Sequence, residues 1–252
     1  MKQIYIGSVQ RSKLFKTLKK DLRICHLHSV IIVILLIIVP IVFHETIFNE
    51  ANGKMSNIVL VSTPSGTGSA IYVGNNYLLT AAHVVCDMAL NSTCFVEFQD
   101  PNDPDGIIIE TEAELMAIGK YLPDRNPEED YALLRLTQLN GDKLTKACTI
   151  GMSNSVKVSD KINIIGYPAG TYSSTEGSIS NITGGVSQVK ELFAVDAKAW
   201  HGNSGGALLD QNGNLVGIVI AIGAIQTIND GQTYALKIDK VQSVLKGKGF
   251  QF

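Results

Sequence analysis

Three residues of this chain have the types and flanks that acyl-transfer chemistry needs. Ser204 lies in Gly202-Asn203-Ser204-Gly205-Gly206. Glycines on both sides of a serine permit a tight turn and a close approach of substrate to the main chain. The amides of such a turn can converge on one oxygen, which is what a developing oxyanion requires. His83 ends the stretch Thr80-Ala81-Ala82-His83, where small residues leave room for an imidazole at the end of an apolar strand. Asp130 stands directly before the apolar run Tyr131–Leu136. An imidazole can take the proton of a serine hydroxyl, and a carboxylate can orient the imidazole and stabilise its cation. Each residue alone has an ordinary structural explanation: a glycine-rich hairpin, a structural histidine, an aspartate opening a strand. Asp124, Glu128 and Glu129 also lie close to Asp130 in sequence and leave the choice of acid open.

The elements that must position these residues are short. Apolar, β-branched runs recur at 58–62, 69–74, 77–85, 94–99, 106–115, 131–136, 161–167, 191–197, 206–210 and 215–223, separated by Gly, Asn, Pro and Asp. Their length and spacing predict strands and turns, and Asn212-Gly213-Asn214 predicts a hairpin. The one clear helical pattern is Lys237 to Lys246, with Ile238, Val241 and Leu245 on one face. Many short strands and few helices predict an all-β barrel or sandwich. The acidic stretches Asp100–Gly106 and Leu122–Asp130 read as solvated loops, without the ligand spacing of a calcium site. No Cys/His cluster has zinc spacing, so neither a metal nor a cofactor is expected.

The order His83, Asp130, Ser204 is that of chymotrypsin-like proteases. An α/β-hydrolase also uses G-x-S-x-G, but its histidine follows the serine, and none follows Ser204 here. Residues 58–246 resemble the protease domain of the HtrA/Deg branch of the trypsin-like serine proteases. The matching stretches are GTGSAIYV (66–73), LLTAAHVV (78–85), DYALLRL (130–136), IIGYP (164–168) and GNSGGALLDQNGNLVGIVIAIG (202–223). YALKIDKVQSVL (234–245) resembles the closing strand and helix of that family. The resemblance implies two perpendicular six-stranded β-barrels with a short C-terminal helix. It further implies His83, Asp130 and Ser204 as a catalytic triad, and an oxyanion hole made by the amides of Gly202 and Ser204. Protein or peptide substrates follow from it, as does a homotrimer, the assembly of HtrA relatives. The same fold without activity, as a membrane-tethered peptide-binding protein, is the competing reading.

Departures from the family pattern carry information. Asn203 replaces the Asp of GDSGG, which pairs with a freed N-terminus after zymogen cleavage, so activity without such cleavage is expected. Trp200-His201 replaces the Asn-Pro common in the branch. Lys198 stands six residues before Ser204, where trypsin-like enzymes place an acid that reads basic side chains. A lysine there argues against basic specificity and leaves an acidic preference conceivable. Val219, Ile220 and Ala221 align with the strand that pairs with substrate backbone, and their apolar character favours a small or medium apolar side chain beside the cut bond. HtrA-type enzymes usually carry a PDZ domain after the barrels. Phe252 follows directly on the closing helix, so control by such a domain within this chain is not expected.

The formal net charge of −2 conceals an asymmetry. Residues 1–28 carry seven Lys/Arg against Asp21 alone, and Val30 to Phe43 is an uncharged apolar run of fourteen. This pattern predicts a basic cytoplasmic tail (1–28), a transmembrane anchor or signal (29–48), a linker (49–57) and a protease domain (58–252) held outside the cytoplasm. No small-x-small cleavage pattern follows the run, which favours a retained single-pass anchor. The composition, 45% hydrophobic and 17% charged, gives no reason to expect nucleic-acid binding. Cys86 and Cys94 are near enough in sequence to close a small disulfide loop in an oxidising compartment.

Overall fold

The computed structural model describes residues 55–100, 109–138, 141–185, 189–222 and 232–252. The basic tail, the apolar run and the linker up to residue 54 lie outside them, as do residues 101–106 of the first acidic loop. Among the described residues no helix is long and apolar enough to cross a membrane.

Alternation of apolar and polar side chains builds the first barrel. In β5 (Ile109–Ile118), Thr111, Ala113, Leu115 and Ala117 point inward, while Glu110, Glu112 and Glu114 face out. The other members are β1 (Ile58–Thr63), β2 (Gly66–Gly74), β3 (Tyr77–Thr80), β4 (Thr93–Phe98) and β6 (Ala132–Leu136). They close in the order β1-β2-β3-β6-β5-β4, every pair antiparallel. The second barrel comprises β7 (Lys161–Gly166), β8 (Ser173–Asn181), β9 (Leu192–Asp196), β10 (Ala207–Asp210), β11 (Leu215–Ile222) and β12 (Thr233–Lys237). It closes as β10-β11-β12-β9-β8-β7. Closure removes the unpaired edges that an open sheet would expose. Register shifts in β2, β5, β8, β10 and β11 supply the bends that closure needs.

The barrels share a core. One apolar cluster runs from Ile58, Leu78 and Leu134 of the first barrel to Leu192, Ile220 and Tyr234 of the second. It also takes in Ile238, Val241 and Leu245, the apolar face of α1 (Ile238–Gly247). The Tyr167 hydroxyl crosses between the barrels to donate to the Ile58 carbonyl at 3.1 Å.

β8 lies outside the apolar runs read from the sequence, and two local expectations are corrected. β8 has no apolar run: its sequence is SSTEGSISN and only Ile179 is buried. It is a strand because β7 and β9 supply hydrogen-bond partners on both sides. The run 77–85 does not stay extended: β3 stops at Thr80, and Ala82–Val84 form a 3-10 turn. Cys86 and Cys94 are both free thiols. Cys94 is buried in β4 with its Sγ toward the Ala113 carbonyl, whereas Cys86 is exposed, so no disulfide closes that loop.

Candidate active site

The 3-10 turn after β3 carries His83. Ala81, Ala82, Val84 and Val85 are buried, which pins the turn and leaves the imidazole facing out, 26% exposed. Asp130 enters at the same end of the sheet, just before β6, whose Ala132 pairs with Thr80, and its carboxylate is fully buried. A short 3-10 turn, Pro127–Glu129, capped by the Asn126 side chain, delivers it. Its Oδ2 lies 2.7 Å from His83 Nδ1, and its Oδ1 accepts the His83 main-chain N–H at 2.9 Å. A carboxylate on Nδ1 favours the tautomer protonated there, leaving the Nε2 lone pair on the open side. Asp130 is thus the acid that meets the imidazole. Asp124 is exposed, and Glu129 instead accepts from the Tyr131 hydroxyl at 3.3 Å and faces Lys240 at 3.7 Å.

Tyr121 was not legible as a member of this site. Its ring lies against the imidazole, with centroids 5.8 Å apart. Burial, and then the charge of Asp130, push its hydroxyl above the usual phenol range, so it stays neutral. Folding of the loop brings it there: Gly119 donates to the Tyr131 carbonyl, and Asn126 donates to the Tyr121 carbonyl.

Ser204 stands on a tightly held turn. Asn203 N–H donates to the Trp200 carbonyl at 3.0 Å, and Gly202 has φ +101°. This is a type II turn, whose third position demands positive φ and therefore glycine. A Cβ on Gly202 would also lie 2.3 Å from the Tyr167 carbonyl oxygen. The His201 carbonyl accepts from Ala169 N–H at 3.0 Å. In a trans peptide the carbonyl and the following N–H point in opposite directions. Gly202 N–H is therefore aimed away from the Ala169 loop. Neither it nor Ser204 N–H meets an acceptor among the described residues.

The turn that bears Ser204 presses directly on the first barrel. Ser204 carbonyl accepts from Ser69 N–H at 2.8 Å. Gly205, at φ +82°, is so close to β2 that a Cβ would sit 2.0 Å from the Ser69 carbonyl oxygen. A Cβ on Gly68 would lie 3.2 Å from the Ser204 carbonyl oxygen and 2.7 Å from a methyl of Val84, the neighbour of His83. One glycine thus separates the two loops that bear Ser204 and His83.

The remaining expected residues fall into two groups. Val219 is fully buried, and both its main-chain polar groups serve the turn that bears Ser204: its carbonyl accepts from Gly205 N–H at 2.7 Å and its N–H donates to the Gly206 carbonyl at 2.9 Å. It therefore supports Ser204 from behind. Ile220, also buried, sits at the bulge in β11, beyond which Ala221 pairs with Tyr234. Lys198 is exposed and has no ion-pair partner among the described residues. Trp200 beside the turn is 68% exposed. Asn203 is 2% exposed, and its Oδ1 has no hydrogen-bond partner among the described residues. No group of residues that could hold a metal ion occurs among the described residues.

Comparison with known proteins places this geometry. A family model described as the trypsin-like peptidase domain matches residues 66–218. A curated relative, the "Serine protease HtrA-like" of Staphylococcus aureus (strain USA300), is 25% identical over 234 residues, covering 81% of this chain and 28% of its own length. The chain thus spans little more than a quarter of the curated relatives it matches. Among solved structures, Deg5 superposes with a TM-score of 0.56 at 24% identity, covering 78% of this chain and 90% of that one. The HtrA-type protease AlgW with tripeptide superposes with a TM-score of 0.57 at 27% identity, covering 79% and 62% respectively.

Proposed function

Because the chain belongs to the trypsin-like peptidase domain family, we propose that it is a serine endopeptidase acting through Ser204, His83 and Asp130. The observation that carries this reading is the paired contact of the buried Asp130 carboxylate with His83 Nδ1 and His83 N–H. Ser204 Oγ attacks the scissile carbonyl while His83 Nε2 takes its proton. The same proton then passes to the leaving amine, and water repeats the sequence on the acyl-enzyme. Asp130 holds the imidazole and stabilises its cation. The amides of Gly202 and Ser204 receive the oxyanion, and loss of one such donor costs about 3 kcal/mol in the transition state.

The uncharged Asn203 makes no ion pair with a new N-terminus, so the site needs no zymogen cleavage of that kind. Substrates are proteins or peptides with a small or medium apolar side chain beside the cut bond. The exposed Lys198 makes acidic side chains the alternative. The basic tail and apolar run support a tether to the membrane, with the barrels on the extracytoplasmic side.

A fluorophosphonate probe tests the core of this reading. The full chain is expected to label, and Ser204→Ala to abolish labelling. A well-folded protein that does not label would instead be a peptide-binding protein with a protease fold. Peptide-library profiling then reads the specificity, and cuts confined to acidic residues would overturn the apolar preference. Alkaline carbonate extraction of membranes tests the tether: release of the full chain into the soluble fraction would refute it.

A further inference from the structure

We propose that Ser69 is a positioning residue for the oxyanion-binding turn, tying Gly202 and Ser204 to the first barrel. The proposal rests on the serine endopeptidase reading above. Ser69 lies on β2, is fully buried, and makes no hydrogen bond to the His83–Asp130 pair. All its polar atoms are engaged. Its N–H donates to the Ser204 carbonyl at 2.8 Å, and its carbonyl accepts from Thr80 Oγ1 at 2.7 Å. Tyr167 N–H donates to its Oγ at 2.8 Å, and Oγ donates to the Gly202 carbonyl at 2.7 Å. Since an amide N–H can only donate, the hydroxyl proton is committed to Gly202.

The physical need for such an anchor follows from Gly202. A glycine carries no side chain to restrict its dihedrals, so the peptide planes on either side of it turn easily. The plane before it is held by Ala169 N–H on the His201 carbonyl. The plane after it is held at both ends, by the Asn203 N–H on the Trp200 carbonyl and by the Ser69 hydroxyl on the Gly202 carbonyl. With both fixed, Gly202 stays at φ +101° and its N–H stays aimed into the open site. Without the hydroxyl, the plane after Gly202 keeps only the Asn203 bond within the turn, and the Gly202 carbonyl loses its tie to the first barrel. The turn can then rotate about Gly202 relative to that barrel, and the Gly202 N–H swings with it off the position of the oxyanion. Main-chain N–H of Ser69 holds the second amide-bearing residue, Ser204, by its carbonyl. One residue of the first barrel therefore ties down both amide-bearing residues, which belong to the second, while the Ala169 loop fixes the plane of the Gly202 N–H.

Ser69→Ala is the test, read per active site by titration with a fluorophosphonate so that any unfolded fraction drops out. The expected result is a fall in kcat of about ten- to a hundredfold, less than the loss of an oxyanion donor itself, with KM changed by less than about twofold. Affinity for a peptide boronate, which mimics the tetrahedral adduct, should fall by the same factor as kcat. Ser69→Cys keeps the shape with a weaker donor and should lie between the two. If Ser69→Ala folds poorly, Ser69→Cys provides the same readouts. Full kcat and unchanged boronate affinity, with only a lower melting temperature, would show a purely structural hydroxyl and overturn the proposal. Absence of labelling in the wild-type chain would overturn the protease reading and the role of Ser69 with it. Labelled wild type beside a fully active Ser69→Ala would overturn the role of Ser69 alone.

Discussion

Replacing Asp130 by Asn keeps the shape of the side chain and removes one acceptor. Asp130 offers an oxygen to two donors at once, the His83 N–H at 2.9 Å and Nδ1 at 2.7 Å. An asparagine oxygen can serve only one of them. If it stays on the main-chain N–H, the amino group faces Nδ1, which must then accept. The imidazole proton moves to Nε2, and no base remains for Ser204. If the amide turns over, the amino group faces the His83 N–H, and a buried donor is left unpaired at a cost of about 1–3 kcal/mol. The inactive tautomer is therefore favoured by roughly five- to a hundredfold. Loss of the charge-assisted bond to the imidazolium adds about 1.5–3 kcal/mol. Together these predict a fall of roughly 10²- to 10⁴-fold in activity near neutral pH, and comparable substitutions in Ser-His-Asp enzymes sit at about 10⁴. The assay is the second-order rate of fluorophosphonate labelling, followed by kcat/KM on a peptide taken from library profiling. Far-UV circular dichroism checks that the fold is intact. Asp124→Asn and Glu129→Gln serve as controls and should stay within about twofold of wild type. Activity of Asp130→Asn within about threefold of wild type, or an equal loss in either control, would refute the tautomer argument.

Other expectations follow from single contacts. Gly205→Ala puts a methyl 2.0 Å from the Ser69 carbonyl oxygen at φ +82°; urea unfolding should show a loss of about 3 kcal/mol or more, the sum of overpacking and left-handed strain. Asn203→Asp buries a carboxyl where the Asn203 Oδ1 meets no hydrogen-bond donor among the described residues. Its folded-state pKa would be raised by desolvation, so the variant should match wild type at acid pH and lose stability as pH rises above the ordinary carboxyl range. Melting temperatures across that range would show a widening gap, and a constant gap would contradict the assignment. Asp210 behaves in the opposite sense. Burial pulls its pKa up, but hydrogen bonds from Asn214 and Asn212 outweigh it and hold the carboxyl below its ordinary value. Its contribution is present above the ordinary carboxyl range and is lost as pH falls through the lowered value, so Asp210→Asn should be less stable than wild type at neutral pH, with the difference vanishing in acid.

Much of the architecture was readable in local pattern. Ten of the twelve strands coincide with short apolar runs, because inward and outward faces alternate along each and turns punctuate them. The helix was readable because Ile238, Val241 and Leu245 fall on one face, and all three are buried. Asp130, His83 and Ser204 were picked out by their flanks and their order, which motif comparison can see. The polar β8 was not readable as a strand, since what makes it one is hydrogen bonding to β7 and β9 and no pattern of its own. The free state of Cys86 and Cys94 depends on one thiol pointing into a barrel and the other out, a matter of register that eight residues of spacing do not reveal.

What local sequence determined is therefore most of the strands, the closing helix and three candidates for chemistry-bearing residues, since these depend on near neighbours in the chain. What tertiary structure decided is how they meet. Asp130 reaches His83 across 47 residues, and Ser69 reaches Gly202 across 133. Such separations carry no periodicity or motif. They arise only when two barrels close, share a core, and press glycine-lined backbones together closely enough for one strand of the first to hold the Ser204 turn of the second.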